Sequence, residues 1–200
     1  MTISAAQIKE LREATGAGML DCRKALEASA GDMDKAVASL REKGLATAAK
    51  RADRATLNGV VELYSHGEGR VGVMVELNCE TDFVARTKEF RVFAHELALQ
   101  VAASSPEYVR PEDVPPAIVD AERQKARTLA VQEGKPEKVI ERIIDGRLDK
   151  FYDERCLLRQ VYIRDDAKKV GDLLQEAVAS TGENIVVRRF ARWAVGEEIG

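Results

Sequence analysis

Val60-Val61-Glu62-Leu63-Tyr64-Ser65-His66-Gly67-Glu68-Gly69-Arg70-Val71-Gly72-Val73-Met74-Val75-Glu76-Leu77 decides the fold. Val71, Val73, Val75 and Leu77 alternate with Gly72, Met74, Glu76 and Asn78, the period-two pattern of a half-buried strand. Val60 to Tyr64 has the β-branched and aromatic character of a second strand, and His66-Gly67-Glu68-Gly69 has the residues of a turn. The stretch predicts a β-hairpin over 60–77.

On both sides the period changes to that of a helix. Toward the N-terminus, Ser4 and Gln7 fit a capping box, and Ile8, Leu11 and Ala14 share a helical face. Thr15-Gly16-Ala17-Gly18 stops that helix. Met19, Cys22, Ala25 and Leu26 form the face of a second one. Asp32 can cap a third, with Met33, Ala36, Val37 and Leu40 at i, i+3, i+4, i+7 spacing and Gly44 able to close it. Residues 45–56, with Lys50, Arg51 and Arg54, read as a helical linker. Toward the C-terminus, helices are expected at 84–103, 116–133, 136–154 and 168–181, with a last strand at 185–193. The expected architecture is α+β: residues 1–55 a three-helix module and linker, residues 56–200 a small antiparallel sheet packed with helices.

Composition sets bounds on function. The 200 residues carry a net charge of −3, with 32% charged and 45% hydrophobic residues, a balance typical of a folded soluble chain. No apolar run is long enough to span a bilayer. The N-terminal Met1-Thr2-Ile3-Ser4-Ala5 lacks the basic-then-apolar pattern of a secretory signal. Cys22, Cys79 and Cys156 are far apart, with neither CxxC nor metal-ligand spacing, which suits a reducing cytosol.

Motifs for chemistry are weak. A thiol site would have to pair one of these cysteines with His66 or His95. Thr15-Gly16-Ala17-Gly18-Met19 lacks the Gly-Lys-Ser/Thr ending of a phosphate loop and follows a helix rather than a strand. We therefore expect no enzyme active site, no cofactor, no metal site and no nucleotide site in this chain. Arg188-Arg189-Phe190-Ala191-Arg192-Trp193 combines cations with aromatics, as single-stranded nucleic-acid sites do. Within a strand of an acidic chain those residues are expected to divide between a packed face and a solvated one.

Asn78-Cys79-Glu80-Thr81-Asp82-Phe83-Val84-Ala85-Arg86 leaves the hairpin and enters a helix that Thr81 or Asp82 can cap. Phe83 is then either an exposed aromatic anchor or a staple packed under the helix start. The last strand is apolar on both faces, with Ile185 and Val187 on one and Val186 and Phe190 on the other. Its second face needs a cover, either helices of the same chain or a second copy pairing sheet to sheet.

Two of these stretches carry a resemblance. Arg12-Glu13-Ala14-Thr15-Gly16-Ala17-Gly18-Met19-Leu20-Asp21-Cys22 and Glu76-Leu77-Asn78-Cys79-Glu80-Thr81-Asp82-Phe83-Val84-Ala85-Arg86 resemble the two signatures of the elongation factor Ts family. Gly44 to Lys50, Glu133-Gly134-Lys135-Pro136 and Gly182-Glu183-Asn184-Ile185 also look like that family, in order along the whole chain. The resemblance implies a cytoplasmic guanine-nucleotide exchange factor for elongation factor Tu. It implies a ubiquitin-associated-type module whose Arg12, Met19, Leu20 and Arg51 contact the partner's GTP-binding domain, Arg51 standing where the family typically has lysine. It further implies that Thr81, Asp82, Phe83 and Val84 dislodge the partner's Mg²⁺. Longer members carry the core twice and this chain once, so the resemblance favours a homodimer of two factors with two partner molecules. No nucleic acid or membrane is implied as a direct partner. An adaptor for ubiquitin-like proteins, or an RNA-binding protein using Arg188 to Trp193, would be the alternatives.

Overall fold

The computed structural model describes residues 3–198. The ends of the expected domain ranges, residues 1–2 and 199–200, lie outside the described residues. The fold is α+β, as the sequence patterns predict, and opens with three helices: α1 (Ala5–Thr15), α2 (Met19–Ala28) and α3 (Met33–Arg51). The hairpin strands β1 (Asn58–His66) and β2 (Val71–Cys79) follow, then a single helical turn α4 (Asp82–Ala85) and α5 (Lys88–Ser104). Helices α6 (Pro116–Gln132) and α7 (Glu137–Arg155) come next. Short strands β3 (Val161–Tyr162) and β4 (Asp165–Lys169), helix α8 (Val170–Thr181) and strand β5 (Ile185–Ala194) complete the order. The main sheet has strand order β1-β2-β5, and β3 pairs antiparallel with β4.

The backbone clusters into two compact units. One comprises the chain through Leu63, Met74–Ala98 and Asp172–Arg189; the other comprises Tyr64–Val73, Leu99–Gly171 and the chain from Phe190 on. In the first, Ser4 and Gln7 form the expected capping box on α1, and Gly16 ends that helix at φ 67°. A glycine suits this left-handed position because a Cβ would be strained there. The Asp32 carboxylate accepts from the Lys35 amide at 3.1 Å and caps α3. That backbone bond, with the Lys35 side chain, holds its pKa below the usual carboxylate value. Leu11, Cys22, Ala25, Leu26, Ala36 and Leu40 form the core of these three helices.

Three local expectations are corrected. Helix α3 does not end at Gly44 but runs to Arg51, so the separate linker helix does not exist. Gly44 lies where a Cβ would touch the Ala179 side chain at 3.5 Å, so α3 passes close to α8 there. Arg41 of α3 also reaches Asp172 of α8 at 2.6 Å. Ala14 and Met19, expected on core faces, are exposed. The helix expected over 84–103 is two: Thr87 breaks it and caps α5, its hydroxyl accepting from the Phe90 amide at 3.3 Å.

Strand β2 follows its sequence period. Val73, Val75, Leu77 and Cys79 are buried, while Met74 on the other face is exposed. Its neighbour β1 exposes Val61 and Leu63 on one face. Gly59, the second residue of β1, has φ 155°, and a Cβ there would lie 2.2 Å from the Leu77 carbonyl oxygen.

In the second unit α6 and α7 pack through Ala126, Ala130, Ile140, Ile144 and Leu148. The buried Gln100 amide donates to Gln160 Oε1 at 3.3 Å and to the Val161 carbonyl at 3.1 Å, and its oxygen accepts from the Ile163 amide. The β3-β4 pair is absent from the sequence reading because its residues are mostly polar, without an alternating apolar face.

The contact at Gly59 gives a first prediction. Gly59→Ala should destabilise the protein by at least about 2 kcal/mol, since a rigid backbone carbonyl occupies the new methyl's place. Denaturant unfolding checks this; a loss within about 0.5 kcal/mol, ordinary for a surface change, would contradict it.

Candidate functional site

The candidate site is the turn that carries the chain from β2 into α4. Thr81 is extended, at φ −123° and ψ 156°, and its hydroxyl accepts from the Val84 amide at 3.4 Å, the N-cap geometry expected of it. Asp82 stands in the first turn, where a carboxylate favours the helix dipole, and pairs with Arg86 at 2.9 Å. Two residues along a helix rotate the side chain to nearly the opposite side. Ala85 is accordingly buried and Phe83 faces outward, 81% exposed. Of the two placements open in the sequence, the structure shows the outward one: the ring is not packed under the helix start. Val84 is half-buried.

A full capping box would need an acidic or amide side chain at the third helical residue, reaching back to the N-cap amide. Here that residue is Val84, which cannot do so. The missing acceptor comes from far along the chain. Glu183, in the loop between α8 and β5, accepts through Oε2 from the Glu80 and Thr81 amides at 3.1 and 3.0 Å. Its Oε1 accepts from the Thr81 hydroxyl at 2.5 Å.

The connection is crossed. The Asn184 amide donates to the Glu80 carboxylate at 2.6 Å. The buried Asn184 side chain donates to the carbonyls of Ala52 and Arg54 at 3.2 and 2.9 Å. Asn58 donates to the Glu80 carbonyl at 2.8 Å. Gly182, at φ 76°, turns the chain out of α8 so that residues 183 and 184 face the turn. Sequence reasoning assigned no role to Glu80, Glu183 or Asn184. The only signal was their place in two stretches that resemble one family.

The other expected contact residues lie in the three-helix region. Arg12 is exposed on α1, and Met19 and Leu20 at the start of α2 are 49% and 62% exposed. These two large apolar side chains stand side by side in water at the helix start. The Gly16-Ala17-Gly18 turn links them to α1, with the Gly16 amide bonded to the Arg12 carbonyl at 2.8 Å. Arg51 is half-buried, and its guanidinium donates to the Val178 carbonyl at 3.4 Å. Arg51 is thus engaged within its own chain.

A groove beside the turn is lined by Glu62, Arg86, Lys88, Arg91, Val92 and His95. His95 Nδ1 lies 2.8 Å from Glu62, and the His66 ring bonds the Tyr64 hydroxyl at 3.0 Å. None of the three cysteines lines that groove. Cys22, Cys79 and Cys156 are free and buried, with Cys22 Sγ donating to the Ala17 carbonyl and Cys79 Sγ to that of Thr81. Burial raises the Cys79 pKa and pushes Cys156 up to about 11, which works against the thiolate a nucleophile needs. Among the described residues no group of three or more His, Cys, Asp or Glu could hold a metal ion, and no helix is long and apolar enough to cross a membrane.

Fold and site together define a class: an α+β chain that leaves large apolar side chains, Met19, Leu20 and Phe83 among them, exposed to solvent. The sequence model of the family described as elongation factor TS matches residues 3–197. Elongation factor Ts of Moorella thermoacetica is 58% identical over 197 residues, covering 98% of this chain and 97% of that protein. The protein of the same name from Caldanaerobacter subterraneus is 58% identical, covering 98% of each. That of Coprothermobacter proteolyticus is 52% identical over 98% of this chain and 100% of its own length. The chain belongs to the elongation factor Ts family and is a translation elongation factor.

Thiol burial yields a second prediction. Native protein should react with a water-soluble disulfide reagent at fewer than one of its three cysteines within minutes, and at all three once unfolded. Rapid native reaction of two or more would contradict the buried placement.

Proposed function

We propose that this chain is a cytoplasmic guanine-nucleotide exchange factor that binds elongation factor Tu–GDP, displaces its Mg²⁺ and promotes GDP release. It acts by contact and not as an enzyme, with no cofactor or metal of its own. Arg12, Met19, Leu20 and Arg51 are assigned to the partner's GTP-binding domain, and Thr81, Asp82, Phe83 and Val84 to the ion and phosphate region. The observation that carries this reading is Phe83, a large ring left in water on a turn whose backbone is held on both sides.

The physics needs no active site. An exchange factor must bind the empty partner better than the GDP-bound one. The coupling is reciprocal, so GDP weakens the factor by the ratio in which the factor weakens GDP. A ring exposed in the free factor gains its burial energy only in the complex, roughly 2–3 kcal/mol. At about 1.4 kcal/mol per factor of ten, that is about 30-fold or more in affinity. Loss of Mg²⁺ from the partner would uncover phosphate charge and loosen the nucleotide further.

Homodimerisation belongs to the same proposal. Val61, Leu63 and Met74 are exposed on strands of the main sheet, which a soluble chain ordinarily covers. This supports a second copy as the cover, with two partner molecules bound per dimer. The last strand gives little support to a direct nucleic-acid role. Arg189 pairs with Glu76 at 2.7 Å, holding the Glu76 pKa low, and Arg192 pairs with Glu197. No membrane role is proposed. An adaptor for ubiquitin-like proteins would leave the exposed Phe83 without a use.

Phe83→Ala should leave stability within about 0.5 kcal/mol, as for an exposed site. It should slow factor-stimulated release of fluorescent GDP from elongation factor Tu at least about tenfold. Unchanged release would sink the proposal. Light scattering at micromolar concentration should give twice the 22.0 kDa chain mass, and the Leu63→Glu variant should give the chain mass itself. A wild-type monomer would remove the dimer.

A further inference from the structure

We propose that Glu183 is a positioning residue for nucleotide exchange: its carboxylate presets the Thr81–Phe83 turn that drives the Phe83 ring into the partner. The inference rests on the exchange reading above and assigns a role to a residue that need not touch the partner at all.

The geometry separates Glu183 from ordinary packing. Its two oxygens take three hydrogen bonds, all from residues 80 and 81, the pair just before the helical turn that bears Phe83. The bond to the Thr81 hydroxyl uses that oxygen's proton and turns its lone pairs toward the Val84 amide, so one residue sets both halves of the cap. Nothing local can substitute, because Val84 stands where a capping box would have Glu or Gln. The α4 helix is one turn of four residues, too short to hold its own shape. Left alone, that turn would fray, and an exposed ring on a frayed turn would collapse onto neighbouring apolar surface.

The second strand of the latch has a different task. Asn184 joins Glu80 to the carbonyls of Ala52 and Arg54 and ties the chain just after α3 to the same turn. Glu183 therefore sets the local shape of the turn, while Glu80 and Asn184 anchor it to its unit. Removal of the Glu183 carboxylate leaves the anchor in place and frees only the cap. A preset wedge meets its target without losing conformational freedom at the encounter; a loosened one loses it there, so fewer encounters expel the ion.

Exchange kinetics with the full-length factor and elongation factor Tu–GDP test this. Glu183→Ala should lower the GDP-release rate at saturating factor by at least about fivefold, while the half-saturating concentration changes by less than about threefold. Glu183→Gln should restore the rate to within about twofold of wild type, because its amide oxygen accepts from the two backbone amides and its NH₂ can donate to the Thr81 hydroxyl. In a double-mutant cycle, Glu183→Ala added to Phe83→Ala should slow release by no more than about twofold further, since the first residue acts through the second.

Independent, multiplying effects of the two substitutions would overturn the positioning role. So would an unchanged rate in Glu183→Ala when Phe83→Ala is slow. An unchanged rate in Phe83→Ala itself would instead overturn the exchange reading, and the latch with it. Should Glu183→Ala fail to fold, Thr81→Val breaks the same hydroxyl bond in its place. A wild-type rate in that variant would overturn the proposal.

Discussion

A phenyl ring in water is a standing cost to a folded chain, roughly 2–3 kcal/mol that burial would recover. Phe83 stands in water on a backbone that hydrogen bonds hold on either side. Glu183 holds the amides of residues 80 and 81, and Thr81 holds the amide of residue 84. Ala85 on the opposite side of the turn is buried and fixes its rotation. One carboxylate, brought to the turn from more than a hundred residues away in sequence, thus binds the backbone just ahead of an exposed aromatic ring.

Much of the unit around that carboxylate serves to bring it there. Gly182 ends α8 in a left-handed conformation and aims the next two residues. Gly59 lets β1 run against the end of β2 with no side chain between them, just before the turn leaves the strand. Arg41 on α3 and Asp172 on α8 meet at 2.6 Å, and side-chain hydrogen bonding to Asp172 raises the guanidinium pKa further. The three-helix region and the helix before Glu183 are therefore packed within the same unit as the turn.

The sequence was legible wherever a periodic pattern coincided with burial. Val73, Val75 and Leu77 of β2 and Cys22, Ala25 and Leu26 of α2 appear as buried faces in the structure. It was misleading where propensity met tertiary context. Gly44 reads as a helix stop, yet α3 continues through it, in a place where a small residue lets α8 approach. Thr87 reads as a helix interior but caps α5. At the site, Thr81 was readable as a cap because capping is local. The outward direction of Phe83 was undecided, since one residue in a one-turn helix carries no period. Glu183 was illegible, because no local rule links a loop after α8 to a turn after β2.

The central claim is that the displayed ring works by unseating the partner's ion. The direct measurement is GDP release from elongation factor Tu under wild-type factor and under Phe83→Ala, with Mg²⁺ present and with it chelated. The account predicts a large ratio between the two factors when Mg²⁺ is present, collapsing to less than about threefold once chelation has already removed the ion. An undiminished ratio without Mg²⁺ would show that the ring acts elsewhere and would contradict the account.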